Sequence, residues 1–254
     1  MKKIWIRIYS TYGLLIFAGV LLVLYPFFLF SMLSPRLRRF ALFLNQLWAR
    51  LFLTLSFIPP RLEWRGQFRP GQQYLLVGNH TSYLDIVLMG YVPRFCVFVG
   101  KKSLTKVPLF GYMFRKIHIT VDRSNARSRY LVFQEGEKVL EKGFSLVMFP
   151  EGGIRSSEPP RLASFRNGAF KLAIEKKVPI VPVTMPHNWR IQPGDNKMIM
   201  HPERPLVIFH EPIDTSQMHM SEADALKERV YSIIEEELIK FYPYLATKET
   251  HHEN

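Results

Sequence analysis

The chain is poor in cysteine and, over its first quarter, poor in acid. Cys96 is the single cysteine among 254 residues, so no intrachain disulfide can form and the fold needs no oxidising compartment. It lies in the apolar run Phe95-Cys96-Val97-Phe98-Val99, the setting of a buried structural thiol rather than a nucleophile. Residues 1–70 hold one acid, Glu63, against ten Lys or Arg, and residues 12–33 hold no charge at all. There is no His-Glu-x-x-His pattern for a catalytic metal and no Gly-x-Ser-x-Gly elbow for a serine hydrolase. Zinc-finger spacing, a basic-aromatic RNA-binding signature and a heptad-based basic helix are also missing, which argues against nucleic acid as the partner of a chain with net charge +13 and pI about 9.9. No internal repeat or low-complexity linker appears.

What is present is unevenly distributed. Hydrophobic residues make up 48% and aromatics 14%, with mean hydropathy near zero, yet the N-terminus is far more apolar than the rest. As a helix, the 22 uncharged residues 12–33 would reach ~33 Å, about the thickness of a bilayer core. They read as a retained membrane segment: the stretch is long for a cleaved signal, and no small-x-small cleavage site follows. Pro26 predicts a kink. Lys2, Lys3 and Arg7 precede it, and Arg36, Arg38 and Arg39 follow, so a simple crossing conflicts with the positive-inside rule. A second apolar stretch, Phe40 to Pro60, is interrupted by Asn45, Gln46 and Arg50. It suits an interfacial helix with Arg50 reaching headgroups. Two helices that enter one leaflet and return reconcile the charges; a plain anchor followed by a core helix is the simpler alternative. The basic surroundings point to an anionic membrane surface.

From about residue 61 the pattern is mixed α/β. Strands are expected at Tyr74–Val77, Phe95–Val99, Ile117–Val121, Phe144–Phe149, Ile180–Val183 and Pro205–Phe209. Helices are expected at Ser82–Gly90, Leu109–Lys116, 127–142, Phe165–Lys176 and 221–241. This alternation predicts a mixed β-sheet layered with helices, preceded by a membrane-embedded two-helix module. The expected organisation is residues 1–60 as membrane-anchoring helices, 61–245 as a catalytic domain and 246–254 as a flexible tail.

Four clusters carry the chemical interest. In Asn79-His80-Thr81-Ser82-Tyr83-Leu84-Asp85, His and Asp five residues apart are offset by ~140° on a regular helix and share no face. They meet if His80 lies in a loop and Asp85 in the first helical turn; Asp85 then fixes the imidazole tautomer and His80 accepts a proton from a hydroxyl. The competing reading is a Ser82/Asp85 capping pair beside a buried histidine. Lys101 to Arg123, with Arg127 and Arg129 beyond, is strongly basic against the lone acid Asp122. Arg123, a guanidinium at a strand end, is a candidate to hold a phosphate, or a member of a solvated face around a structural Asp122–Arg123 pair. Phe149-Pro150-Glu151-Gly152-Gly153-Ile154-Arg155-Ser156 follows an apolar strand. Gly152 and Gly153 allow close backbone approach and anion-directed N–H groups, Glu151 can anchor the loop or accept a hydroxyl, and Arg155 can meet a phosphate; a plain glycine turn is the alternative. Val178-Pro179-Ile180-Val181-Pro182-Val183 has no reactive group. It shapes an apolar strand whose prolines indicate a sheet edge or a bulge.

In this order, the four clusters resemble the motifs of the glycerophospholipid acyltransferase family, in particular bacterial 1-acylglycerol-3-phosphate acyltransferases. Asn79, His80 and Asp85 match Asn-His-x-x-x-x-Asp. Lys101, Lys102, Leu104, Pro108, Gly111, Asp122 and Arg123 match the second motif. Phe149 to Gly152 match Phe-Pro-Glu-Gly-Thr-Arg-Ser, and Val178 to Val183 match Val-Pro-x-x-Pro-Val. Phe165-Arg166-Asn167-Gly168-Ala169 is similar to the family's Phe-Lys-x-Gly-Ala. The resemblance covers roughly residues 70 to 215. The chain departs from it at Gly152-Gly153-Ile154-Arg155-Ser156, one residue longer and without the family's Thr.

The resemblance implies an enzyme with His80 as general base, Asp85 as its partner and Glu151 in the catalytic set. It implies that Lys102, Arg123, Gly152, Gly153 and Arg155 bind substrate. The acyl donor is acyl-coenzyme A or acyl-carrier protein as co-substrate, with no cofactor and no metal, and the acceptor is a membrane lysolipid, first of all lysophosphatidate giving phosphatidic acid in phospholipid biosynthesis. A cytosolic donor and a bilayer acceptor imply the cell inner membrane, with the catalytic domain on the cytoplasmic face. Two rivals stand beside this reading: the same chemistry on another lysolipid, and a non-catalytic membrane-binding protein with the same fold.

Overall fold

The computed structural model describes residues 2–122, 125–156, 158–194 and 198–246. Two long helices open the chain, α1 (Lys2–Ser31) and α2 (Arg38–Leu55). The first begins ten residues before the uncharged stretch and continues through Pro26. By length and composition it is able to cross a membrane. Its outer face leaves Trp5, Leu15, Val23 and Phe27 more than half exposed, an apolar surface suited to lipid contact. The opposite face packs on α2. Phe17 meets Trp48 at 4.6 Å between ring centres, and the indole N–H of Trp48 donates to the Phe17 carbonyl.

The polar interruptions of α2 make contacts with the following domain. Gln46 Nε2 donates to the carbonyls of Val92 and Arg94, and the Arg50 guanidinium lies 5.7 Å from the centre of the Tyr91 ring. Asn45 meets His118 Nε2 at 3.1 Å, while His118 Nδ1 accepts from the Phe98 N–H. Phe28, Leu42 and Trp48 share one hydrophobic core with Val77, Leu146 and Phe170. The two helices are thus built onto the α/β unit.

That unit comprises β1 (Arg61–Trp64), β2 (Leu75–Gly78), α3 (Leu84–Leu88), β3 (Cys96–Lys101), α4 (Phe110–Ile117), β4 (Ile119–Val121), α5 (Ala126–Glu141), β5 (Ser145–Met148), α6 (Gly168–Glu175), β6 (Ile180–Thr184), α7 (Asn188–Ile191), β7 (Leu206–Phe209) and α8 (Ala223–Phe241). The seven strands lie in the order β1-β7-β6-β2-β5-β3-β4. β6, β2, β5, β3 and β4 run parallel; β7 is antiparallel to β6, and β1 runs parallel to β7. The sheet is mixed, as the alternation of elements predicts. β2 and β6 are wholly buried, which explains their continuous apolar sequences.

β6 is an interior strand, so its prolines do not mark an edge. They accompany a bulge. Between the pairs Ile180–Ile213 and Val183–Phe209, β6 advances three residues and its partner four. Pro182, which has no N–H to give, accepts there from the His210 N–H. β1 has no counterpart in the expected elements: its four residues alternate with Arg61 and Glu63 and lie at the sheet edge. The tail beyond Ala246 lies outside the described residues.

Because five strands run parallel, the segments that carry the first three clusters emerge together at their carboxyl ends, beside the end of the fourth, which is β6 itself. Asn79-His80 follows β2, Lys102 follows β3, Asp122 follows β4, Phe149 follows β5 and Met185 follows β6. β2 lies between β5 and β6, with β3 and β4 to one side, so the strand order reverses at the strand that delivers His80. Crevices at such positions are the usual ligand sites of α/β sheets.

Gly111 permits the tight approach of α4 to the preceding segment. A Cβ there would stand 2.3 Å from the Thr105 carbonyl oxygen and 2.5 Å from its carbon, both backbone atoms that cannot swing away. Gly111→Ala is expected to lower the Tm by roughly 4–10 °C through overpacking, read by thermal unfolding in detergent.

Candidate active site

His80 stands in the loop between β2 and α3, and Asp85 in the first turn of α3. His80 Nδ1 lies 3.0 Å from Asp85 Oδ2. The chain folds back between them because the same oxygen accepts the backbone N–H groups of Thr81 at 2.8 Å and Ser82 at 2.9 Å. Ser82 Oγ in turn accepts from the Leu84 N–H, so α3 starts two residues after Ser82. The two readings of this cluster coexist: Asp85 caps the turn and holds the imidazole at once. Its side chain is fully buried, and that of His80 is 8% exposed.

With Nδ1 engaged, Nε2 is the ring nitrogen left for chemistry. It bonds to nothing among the described residues and keeps contact with solvent. The imidazole is stacked on Phe149, 4.2 Å between ring centres and 18° between planes. The first residue of the Phe149–Ser156 cluster therefore fixes the face of the histidine of the Asn79–Asp85 cluster. Asn79 adds a clamp from β2 to the end of β6: its Nδ2 donates to the Met185 carbonyl and its Oδ1 accepts the Met185 N–H.

Glu151 joins this group from beneath. One oxygen accepts the His80 N–H at 2.7 Å and the other the Ala163 N–H at 3.0 Å, and the residue is 1% exposed. Burial pushes its carboxyl up to about 7; the two N–H bonds pull the other way, and the charge of Asp85 adds slightly to the rise. Both oxygens are occupied by backbone donors, so Glu151 anchors the His80 loop to the segment before α6.

The glycines beside it are conformationally required. Gly152 has φ +77° and Gly153 φ +144°, both in the region that favours glycine. A Cβ on Gly152 would also lie 2.9 Å from Arg166 Nε. The Gly152 N–H is used by the Phe149 carbonyl, whereas the Gly153 N–H has no backbone acceptor among the described residues. A cavity of about 170 Å³ opens beside this turn, lined chiefly by apolar groups including Val99, Val132, Met148, Phe149 and Leu172. Ile154, in the lengthened loop, packs on Gly194: a Cβ on that glycine would fall 2.5 Å from Ile154 Cγ2 and 3.1 Å from the Thr81 carbonyl oxygen.

The remaining predicted residues stand apart from the buried group. Lys102 is exposed at the start of a 3-10 turn, Lys102–Lys106, and Arg155 is exposed after Ile154. Neither side chain makes an ion pair among the described residues. Arg123 lies outside the described residues. The Asp122 N–H donates to Ser128 Oγ. Cys96 is buried, and burial pushes its thiol up to about 12, which withholds the thiolate a nucleophile needs.

Sequence reasoning passed over Phe149 as a ring partner, Asn79 as a clamp and Asn188, whose Nδ2 donates to Asp85 Oδ1 at 2.7 Å. Phe149 and Asn79 fall inside the recognised motifs, a signal that was available; Asn188 falls outside them.

Two outcomes follow for Glu151. Glu151→Ala strips two buried N–H groups of their acceptor, at about 1–3 kcal/mol each, and is expected to lower the Tm clearly. Because the folded carboxyl is raised above its ordinary value of 4.5, its contribution to stability is fully present below about pH 4.5 and is lost as pH rises through about 7. The difference in unfolding free energy between wild type and Glu151→Gln, followed from pH 4.5 to 8, should move against the wild type by an amount on the order of 3 kcal/mol.

Comparison with known proteins agrees with this geometry. A family model described as Acyltransferase matches residues 61–186, from β1 to just past β6. A 1-acyl-sn-glycerol-3-phosphate acyltransferase of Chlamydomonas reinhardtii is 28% identical over 199 residues, 78% of this chain and 59% of that protein. A chloroplastic 1-acyl-sn-glycerol-3-phosphate acyltransferase of Arabidopsis thaliana is 29% identical over 225 residues, 87% of this chain and 60% of that one. The chain thus spans about three fifths of the length of these relatives. The crystal structure of the 1-acyl-sn-glycerophosphate acyltransferase of Thermotoga maritima shares the fold with a TM-score of 0.75 at 21% identity, covering 95% of this chain and 98% of that one. With its four motifs in order along a shared fold, the chain is similar to acyltransferases over the residues that the family model matches.

Proposed function

We propose that the protein transfers a fatty acyl group from acyl-coenzyme A or acyl-carrier protein to the sn-2 hydroxyl of 1-acylglycerol 3-phosphate, forming phosphatidic acid at a membrane surface. The observation that carries this reading is the buried His80–Asp85 pair, with Nδ1 tied to the carboxylate and Nε2 left open. Nε2 removes the hydroxyl proton as the oxygen attacks the thioester carbonyl, and Asp85 stabilises the imidazolium that forms. The tetrahedral oxyanion needs donors, and the Gly153 N–H is the one we assign to it. Collapse breaks the C–S bond, and the imidazolium proton leaves with the thiolate. Glu151 acts by holding the His80 loop.

Lys102, Arg123 and Arg155 are assigned to the acceptor phosphate. The acyl chain finds apolar surface in the cavity beside Phe149. The apolar outer face of α1 supports attachment to a bilayer, and a cytosolic donor assigns the catalytic domain to the cytoplasmic face of the cell inner membrane. No cofactor or metal enters this scheme.

One observation favours a second acceptor. Ile154 introduces an apolar side chain between the glycine turn and Gly194, where the family's motif carries Thr-Arg, so a lysolipid with another headgroup is the alternative.

Purified protein in detergent, given lysophosphatidate with each donor in turn, is expected to form phosphatidate. His80→Ala should lose at least about 10³-fold in kcat, the scale of removing a triad member. Product with a different lysolipid but none with lysophosphatidate would establish the alternative acceptor. Turnover that survives His80→Ala would remove the base role, and inactivity on every acceptor would favour a non-catalytic membrane-binding protein.

A further inference from the structure

Asn188 lies beyond the four motifs, 103 residues from Asp85 in sequence, at the start of the four-residue helix α7. It is fully buried. Its Nδ2 donates to Asp85 Oδ1 at 2.7 Å, and its Oδ1 is buried with no partner among the described residues. A buried amide that leaves one end unpaired is costly, so its other end must be well used. Turning the amide over would set its oxygen against the carboxylate, which fixes its orientation.

The three other donors to Asp85 (His80 Nδ1 and the N–H groups of Thr81 and Ser82) all meet Oδ2. Asn188 is the side chain that holds Oδ1, and with it the plane of the carboxylate. The link is matched in the opposite direction. Asn79, next to His80, grips the Met185 backbone at the end of β6, and Asn188, three residues after Met185, grips Asp85. Two asparagines therefore cross-link the His80 loop and the β6–α7 turn. Rotation of the carboxylate would break Nδ1–H···Oδ2 and release the imidazole from its stack on Phe149.

We infer that Asn188 is a positioning residue for the His80–Asp85 pair, acting through Asp85 Oδ1 to hold the carboxylate in the plane that aims the imidazole. This inference rests on the proposed acyl transfer for its catalytic consequence, but its structural content is measurable without turnover. The test compares full-length wild type with Asn188→Ala and with Asn188→Leu, which keeps the branching at Cγ without the donor and carries the test if the alanine variant does not fold; thermal unfolding verifies both.

Two quantities are read. The first is the downfield proton resonance of His80 Nδ1–H, assigned by its absence from His80→Ala. It is expected to move or disappear in the Asn188 variants. The second is steady-state transfer to lysophosphatidate, where kcat should fall about 10- to 100-fold while the KM for acceptor changes by no more than about twofold. An unchanged resonance overturns the inference whatever the rate, and an unchanged kcat in an active enzyme overturns it as well. A resonance that moves in the variants of a wild type that transfers no acyl group would uphold the positioning role and remove the proposed reaction instead.

Discussion

The structure depends on one buried carboxylate. Asp85 sits without solvent contact where a charge is expensive, and among the described residues it is sustained by four donors: an imidazole, two backbone N–H groups and a side-chain amide. Each donor comes with a structural consequence. The backbone pair folds the loop after β2 and starts α3. The imidazole is held with one nitrogen inward and one outward. The amide ties in the turn after β6. Local folding, long-range closure and the orientation of the reactive group are the same set of hydrogen bonds.

The sheet makes this set possible. Parallel strands deliver their following loops to one end, so the His80 loop, the Glu151 loop and the β6–α7 turn become neighbours although they are about 70 and 100 residues apart in sequence. Glu151 then bridges the first two and Asn79 the first and third. The N-terminal helices share the core of this sheet rather than hanging from it on a linker, which fixes the position of the site relative to the apolar face of α1. In the proposed reaction the acceptor lies in a bilayer, and that fixed relation lets its headgroup reach a buried pair of side chains.

Much of this was legible in the sequence, and the rest was not, for physical reasons. Continuous apolar runs identify β2, β5 and β6 because both faces of those strands are covered. The spacing of His80 and Asp85 excluded a shared helical face and allowed a meeting across a loop and a first helical turn, without deciding between that and the capping pair. β1 escaped because a short edge strand of alternating charge looks like a loop, and α7 because four residues carry no periodicity. The prolines of β6 indicated an edge or a bulge without deciding between them; only the pairing on both sides of the strand decides for the bulge. The partners of Asn45 and Gln46 in the following domain were not legible, because composition does not tell which neighbour a polar side chain will meet. Asn188 was beyond reach: its role exists only after the β6–α7 turn has been brought against α3.

The central claim is that His80 Nε2 is the atom that receives the proton of the acceptor hydroxyl. The most direct measurement is a crystal structure of the protein with lysophosphatidate and a non-reactive thioether analogue of the donor. The account predicts the free hydroxyl of the acceptor at hydrogen-bond distance from Nε2, about 2.6–3.2 Å, with Nδ1 still on Asp85. A hydroxyl bound elsewhere, with Nε2 turned away from it and facing protein, would contradict it.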